Sequence, residues 1–272
     1  MKKSKFLKTY MPFATNTFKA ELAYKGNTIM FFCGQAVLIA VTYFLWRAIY
    51  SSSPNSVIEG FSFNHMIIYM LIAFLTELLV STDVSSNIYR EVKDGSIANN
   101  LTKPISYCSR MMFQAIGVIT FNFILVFVIA FTIITVIFYR MDGSINILNL
   151  LLYFVSCIFG IIIRFYYNYC FGLLSFKITN MWGLTQIMQA IMRLLSGALI
   201  PLAFFPDIIR KIFEILPFGS IISTPTMIYL GKLSTGQILK GLGLQIIWIG
   251  VFMFFSKWMW NKLIKQLTIL GG

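Results

Sequence analysis

Residues 197–231 read GALIPLAFFPDIIRKIFEILPFGSIISTPTMIYLG, and this stretch decides what kind of molecule the chain is. It is too apolar for a solvated loop. It is also broken by Pro201, Pro206, Pro217 and Pro225, four of the chain's seven prolines. Proline removes a backbone donor and clashes with the preceding turn, so no continuous helix crosses the stretch. Asp207–Leu216 has the pattern of a short amphipathic helix, with an acid at the positive end of its dipole. Broken apolar backbone is tolerated in a membrane only where protein or a wet cavity satisfies its freed N–H and C=O groups. The part from 203 to 231 therefore predicts re-entrant or interfacial helices within a larger membrane bundle.

The rest of the chain supplies that bundle. Of its 272 residues, 58% are hydrophobic and 11% charged, and the mean hydropathy is +0.80. A soluble domain runs near one quarter charged, so composition excludes a free soluble protein, a disordered chain and a disulfide scaffold. Six runs reach the length of about 20 residues that a span needs: Thr28–Tyr50, His65–Ser86, Met111–Tyr139, Ile145–Phe171, Trp182–Leu202 and Leu242–Lys262. The expected fold class is all-α, a polytopic membrane protein with six transmembrane helices. Residues 1–27 form a cytoplasmic interface segment and 28–272 a single transmembrane domain. The polar start carries no apolar core early enough for a cleaved signal. Every loop is short, so no extramembrane catalytic domain is expected.

Charge sets the orientation. There are 22 Lys and Arg against 9 Asp and Glu, a net +13. On a soluble protein this would suggest nucleic acid; here it reads as basic residues held on the cytoplasmic side, with no nucleic-acid partner. Counting between spans puts fourteen basic residues on the side of the two termini and five on the other, although loop 203–241 dissents with Arg210, Lys211, Lys232 and Lys240. Both termini are therefore expected in the cytoplasm. Cys33, Cys108, Cys157 and Cys170 show no CxxC spacing and read as packing residues without metal.

Two cytoplasmic segments carry patterns of their own. Leu7, Met11, Ala14, Phe18 and Leu22 fall near one helical face among lysines. They predict an amphipathic helix over Pro12–Lys25, with Pro12 in its first turn and Gly26-Asn27 ending it before the first span. In loop 87–110, Ile88 and Val92 make one short apolar stripe and Ile97 and Leu101 another. Gly95 separates them, Ser96 is placed to cap the second, and Pro104 stops it. Two small amphipathic turns of mixed charge suit a docking knob. Asn100-Leu101-Thr102 matches a glycosylation acceptor, but on the cytoplasmic side it has no meaning.

Within the spans, Glu77, Arg164 and Arg193 lie in apolar surroundings, where an ionised group costs a few kcal/mol or more and must face protein or water. Counting about 1.5 Å per residue puts Glu77 and Arg193 at similar depth, about 18 and 14 Å from the outer side, and Arg164 near the inner interface. Glu77 and Arg193 are thus expected to pair across helices, on the pathway, at a subunit contact or as a structural tie. Phe165-Tyr166-Tyr167-Asn168-Tyr169 reads as an interfacial aromatic belt, or alternatively as a substrate lining. His65 is alone of its kind and reads as structural. Ala36 and Ala40 give a small-xxx-small spacing for helix contact.

Taken in order, these segments resemble the membrane subunits of type 2 ABC exporters, in the six-span group often encoded as a permease pair with one ATPase. The cytoplasmic mark is Arg90-Glu91-Val92, Gly95-Ser96-Ile97-Ala98, Leu101 and Lys103-Pro104. The outer mark is Ser196-Gly197, Ile200-Pro201-Leu202, Phe205-Pro206, Leu216-Pro217-Phe218, Thr224-Pro225 and Tyr229-Leu230-Gly231. The likeness covers essentially the whole chain. It implies that 87–104 is a coupling loop inserting into a cytoplasmic ABC ATPase dimer, through Arg90, Glu91, Val92, Gly95, Ser96, Ile97, Leu101 and Pro104. It implies an outer gate built on Gly197, Pro201, Pro206, Pro217 and Pro225, and a second permease subunit, homologous or identical. A bacterial plasma membrane is the implied location.

The chain has no GxxxxGK[ST] phosphate loop, which agrees with ATP and Mg being bound by the partner and with no cofactor here. The implied function is export of an amphipathic drug, peptide, lipid or polysaccharide by alternating access. Two other classes fit less well. A secondary transporter needs more intramembrane titratable groups and internal repeats. A lipid enzyme needs clustered His, Asp, Glu or Ser at mechanistic spacing.

Overall fold

A computed structural model describes residues 2–23, 25–142, 146–178 and 180–267. Twelve α-helices run through them: α1 (Lys2–Ala23), α2 (Lys25–Ser52), α3 (Phe63–Val80), α4 (Val84–Lys93), α5 (Ile97–Leu101), α6 (Tyr107–Asn122), α7 (Val128–Asp142), α8 (Ile147–Leu173), α9 (Trp182–Leu195), α10 (Asp207–Ile215), α11 (Pro217–Tyr229) and α12 (Thr235–Leu263). One two-residue hairpin, β1 (Val57–Ile58) with β2 (Phe61–Ser62), joins α2 to α3. This is an all-α polytopic membrane protein. Five helices or helix pairs are long and apolar enough to cross a bilayer: Cys33–Ser52, Phe63–Lys93, Tyr107–Met141, Ile147–Phe176 and Thr235–Gln266. A single turn of π-helix, Phe123–Phe127, links α6 and α7 into one rod. Ile145, the expected start of the fourth span, lies outside the described residues.

The expected fifth span, Trp182–Leu202, is corrected. Only Trp182–Leu195 is helical, 14 residues or about 21 Å, against a hydrocarbon core of about 30 Å. The cause is local. Gly197 takes φ +78°, a left-handed position that ends a helix at low cost only for glycine. Tyr69 Oη donates to the Gly197 carbonyl at 2.8 Å, and Pro201 then prevents the helix from resuming. The sixth crossing instead has the bent pair α10 and α11 as a candidate, with 99° between them.

Helix α8 is the axle. It packs on α3, α4, α11 and α12 and serves both main cores. Toward the hairpin end, Tyr69, Ile72, Phe127, Phe131, Tyr153, Ile221 and Ile228 pack together. Toward the α5 end, Val84, Ile88, Val92, Ile97, Tyr107, Phe165, Tyr169 and Leu173 do so. Buried polar groups tie these helices at fixed register. Thr76 Oγ1 and Tyr153 Oη lie 3.0 Å apart. Gln245 Nε2 donates to the Ser156 carbonyl at 3.1 Å and to the Ser220 carbonyl at 2.6 Å. Asn168 Nδ2 donates to the Thr82 carbonyl at 2.8 Å. In hydrocarbon such groups need internal partners, and here they link α8 to α3, α11, α12 and the α3–α4 break.

The aromatic run 165–169 is not a lipid-facing belt. Phe165 and Tyr169 are buried in the core at the α5 end, and Asn168 is buried with its amide committed to Thr82. The N-terminal helix also differs from expectation. It begins at Lys2, so Pro12 lies inside it rather than in its first turn. Gly26-Asn27 belong to α2 instead of ending α1. Helix α1 lies along α6: Tyr10 stacks on Phe113 with ring centroids 5.5 Å apart, and its Oη accepts from the Ser106 N–H at 2.7 Å. Gly117 makes this approach possible, since a Cβ there would run into the Ala14 carbonyl oxygen. Leu7 and Met11, two members of the expected apolar face, point outward and are exposed. By contrast α2 is held loosely, through Tyr43 on Phe63 and Trp46 on Phe204. Ala36 and Ala40 are exposed.

Candidate functional site

A cavity of about 210 Å³ opens between α3, α8 and α9, beside the α3–α4 break. Three polar stripes meet there at helical spacing. Helix α3 contributes Glu77, one turn before its end, followed by Ser81, Thr82 and Asp83. Helix α8 contributes Arg164, Tyr167, Asn168 and Phe171, and α9 contributes Thr185, Gln189 and Arg193 with Met188 and Met192 between them. Ser81 is extended, at φ −67° and ψ 129°, and its N–H still donates to the Glu77 carbonyl. Asn168 holds the Thr82 carbonyl. The break is thus a fixed elbow that buries Thr82 and sets Ser81 and Asp83 at the rim of the cavity.

Arg193 Nε donates to Glu77 Oε1 at 3.1 Å, the pair expected from their depths. It is a single-point contact, with 45% of the Arg193 side chain and 21% of the Glu77 side chain exposed. Arg164 does not lie apart from this pair, as the depth count suggested; it lines the same cavity. Its Nε is buried without a hydrogen-bond partner, and so is Tyr167 Oη. Leaving a buried polar group unsatisfied costs about 1–3 kcal/mol, more for a charged one. The cavity therefore contains donors that the chain itself does not use. Sequence reading found the three charges but missed Asp83, Gln189 and Thr185. The signal was present: Thr185, Gln189 and Arg193 recur every fourth residue along an otherwise apolar helix.

At the α5 end, Gly95 takes φ +75° between α4 and α5, so the short helix folds back on its predecessor. Of the eight residues singled out there, several are not surface groups. Ile97 is fully buried, Val92 is nearly so, and Leu101 packs against the same core. Glu91 accepts from Arg110 at 2.9 and 2.6 Å and from Tyr107 Oη at 2.9 Å. Ser96 does not cap α5 with its side chain. Its backbone N–H donates to Asp94 Oδ1 at 2.9 Å instead, and with the Ser96 hydroxyl this holds the exposed Asp94 carboxyl below its ordinary range. The exposed groups are Arg90, Lys93, Asp94, Asn99, Thr102, Lys103 and Pro104.

Each residue of the proline-rich segment has a definite structural place. Gly197 ends α9, Pro201 precedes a short 3-10 turn, and Pro206 is the N-cap of α10. Pro217 opens α11, where its missing donor is not needed, and Pro225 lies inside that helix. Helix α11 is enclosed by α3, α8 and α12, while α10 exposes Ile208, Ile212 and Ile215. Trp248 Nε1 donates to the Ile215 carbonyl at 2.9 Å, covering the bend.

A comparison with protein families finds a match. The profile of the "ABC-2 family transporter protein" matches residues 36–271. The chain belongs to this family. As an ABC-2 family membrane protein it is a permease subunit of an ABC transporter, which implies an ABC ATPase partner. The match begins within α2, so α1 lies before it. A comparison with curated proteins finds no match.

Proposed function

We propose that this ABC-2 permease is the membrane half of an ATP-driven exporter that moves an amphipathic substrate out of the cytoplasm by alternating access. In this reading ATP and Mg are bound by a separate cytoplasmic ATPase dimer, a second permease subunit completes the pathway, and both termini lie in the cytoplasm of a bacterial plasma membrane. The observation that carries the reading is the α4–α5 elbow. The unit Phe63–Lys93 has 31 residues and is broken at Ser81–Asp83; α3 alone supplies about 27 Å of helix against a core of about 30 Å, so α4 and α5 lie at the far end of that crossing. Its tip is polar, and its inner face is locked to α6 through Glu91, Arg110 and Ile97. A lever needs such stiffness: force at an exposed tip reaches α8 only if the base does not yield. The coupling contact would use Arg90, Lys93, Asn99 and Lys103, while Glu91, Val92 and Ile97 hold the lever.

Substrate would enter from the α3–α9 side, where Glu77, Arg164 and Arg193 line the cavity, and leave past Gly197, Pro201, Pro206, Pro217 and Pro225. The test is co-purification of the chain with its ATPase, followed by transport in inverted vesicles. Lys103→Glu together with Asn99→Trp is expected to abolish substrate-stimulated ATP hydrolysis at unchanged melting temperature. A preparation without any ATPase, or full coupling in that double variant, would remove the proposal.

A further inference from the structure

We infer that the α3–α8–α9 cavity binds the anionic headgroup, phosphate or carboxylate, of an amphipathic molecule, with Arg164 as its principal ligand. The inference deepens the permease reading and rests on it. Three observations converge. Arg164 Nε is buried and has no hydrogen-bond partner, although it shares the cavity with two carboxylates. Glu77 is already engaged by Arg193, and Asp83 is exposed at the head of α4 without an ion pair among the described residues. Tyr167 Oη, on the next turn of α8, is a second buried donor without a partner.

A guanidinium presents several donors in a fixed fork that matches planar carboxylate or phosphate oxygens. With the Tyr167 hydroxyl on the next turn, the site presents two buried donors that no acceptor of the chain meets. The remaining wall is apolar and adaptable, from Phe171, Met188 and Met192. At about 210 Å³ the space is smaller than the 300–1,000 Å³ of drug-sized sites. It holds a headgroup and not a whole amphiphile. The tail would leave along α9, whose Ile187, Ile191 and Leu194 are exposed.

The experiment uses the full chain, with the subunits that purify with it, in phosphatidylcholine nanodiscs without nucleotide. Dodecyl phosphate is titrated, with dodecyl phosphocholine and inorganic phosphate as comparisons. The expected result is saturable binding of dodecyl phosphate, with inorganic phosphate and the zwitterion at least tenfold weaker. Arg164→Gln should weaken dodecyl phosphate tenfold or more, and Tyr167→Phe severalfold. Arg164→Gln should also leave the ligand-free melting temperature close to that of the wild type, because the Arg164 Nε holds no hydrogen-bond partner in the chain. Adding phosphatidylglycerol to the nanodiscs separates two sources: competition assigns a membrane-lipid headgroup, and its absence a free amphiphile.

Equal binding of all three probes would overturn the inference. So would unchanged affinity in folded Arg164→Gln, or a cavity filled by water alone that takes up no dodecyl phosphate. If Arg164→Gln does not fold, unchanged affinity in Tyr167→Phe has the same consequence. Loss of the ATPase partner would instead defeat the permease reading and leave this binding intact, since no ATP is used.

Discussion

Two glutamate–arginine pairs lie on either side of the α3–α4 break, and they are built differently. Arg110 grips Glu91 with two hydrogen bonds at 2.9 and 2.6 Å, and only 4% of the arginine and 14% of the glutamate side chain is exposed. Tyr107 donates to the same carboxylate. Arg193 touches Glu77 at one point, 3.1 Å away, and is 45% exposed. Removing one partner of a buried pair leaves an uncompensated charge and costs about 3–5 kcal/mol, whereas exposed pairs are worth about 0–1 kcal/mol. The first pair is therefore a strut and the second a contact that can open at little cost. A transporter needs both: one joint that does not yield, and one region free to exchange partners with a substrate.

The sharpest way to break this comparison is Glu91→Gln. It should lower stability by about 3–5 kcal/mol, seen as a large drop in melting temperature and in membrane yield. A wild-type melt would end the strut assignment. Gly117→Leu comes next, because the new side chain drives into the Ala14 carbonyl. Overpacking of this kind costs about 1–3 kcal/mol, and α1 should become sensitive to limited proteolysis while the remaining helices stay protected. Thr76→Val removes the hydroxyl facing Tyr153 in the membrane interior and should cost about 0.6–1.7 kcal/mol by denaturant titration in micelles. Arg193→Gln removes a single half-exposed contact, so it should lower stability less than Glu91→Gln does, yet reduce transport strongly. Normal transport in that variant would make Glu77–Arg193 an ordinary tie between helices.

The smallest effect belongs to Asp94. Its carboxyl is held low by the Ser96 hydroxyl and N–H, so its contribution is fully present above the unfolded value of about 3.9 and is lost only as pH falls through the folded value. Asp94→Asn should therefore lower stability slightly and by a constant amount between about pH 6 and 8, with the difference from wild type vanishing on the acid limb of the curve.

Much of this architecture was legible in the residues. Apolar runs of the right length gave most of the spans, and the clustered prolines from 201 to 225 gave the broken helix pair. The similar depths of Glu77 and Arg193 gave their pairing. Where the reading went astray, a third element intervened. Trp182–Leu202 looks like a span because composition cannot register that Tyr69, 128 residues earlier, ties down the Gly197 carbonyl. Ile97 and Leu101 look like a docking stripe because an apolar pair on a short helix has the same pattern whether it faces a partner or its own core. Tyr169 looks like a belt residue until α4, α6 and α12 close over it.

The sequence by itself determined that the chain lives in a membrane, most of the segments that cross it, and that its few intramembrane charges must face protein or water. These follow from transfer energies and helix length, which are properties of contiguous residues. Only the tertiary structure decided that α9 stops short, that Glu91 is a buried strut, and that Arg164 shares a cavity with Glu77 and Arg193 while keeping donors unused. Those facts depend on which distant helix supplies or withholds a partner, and no local pattern records that.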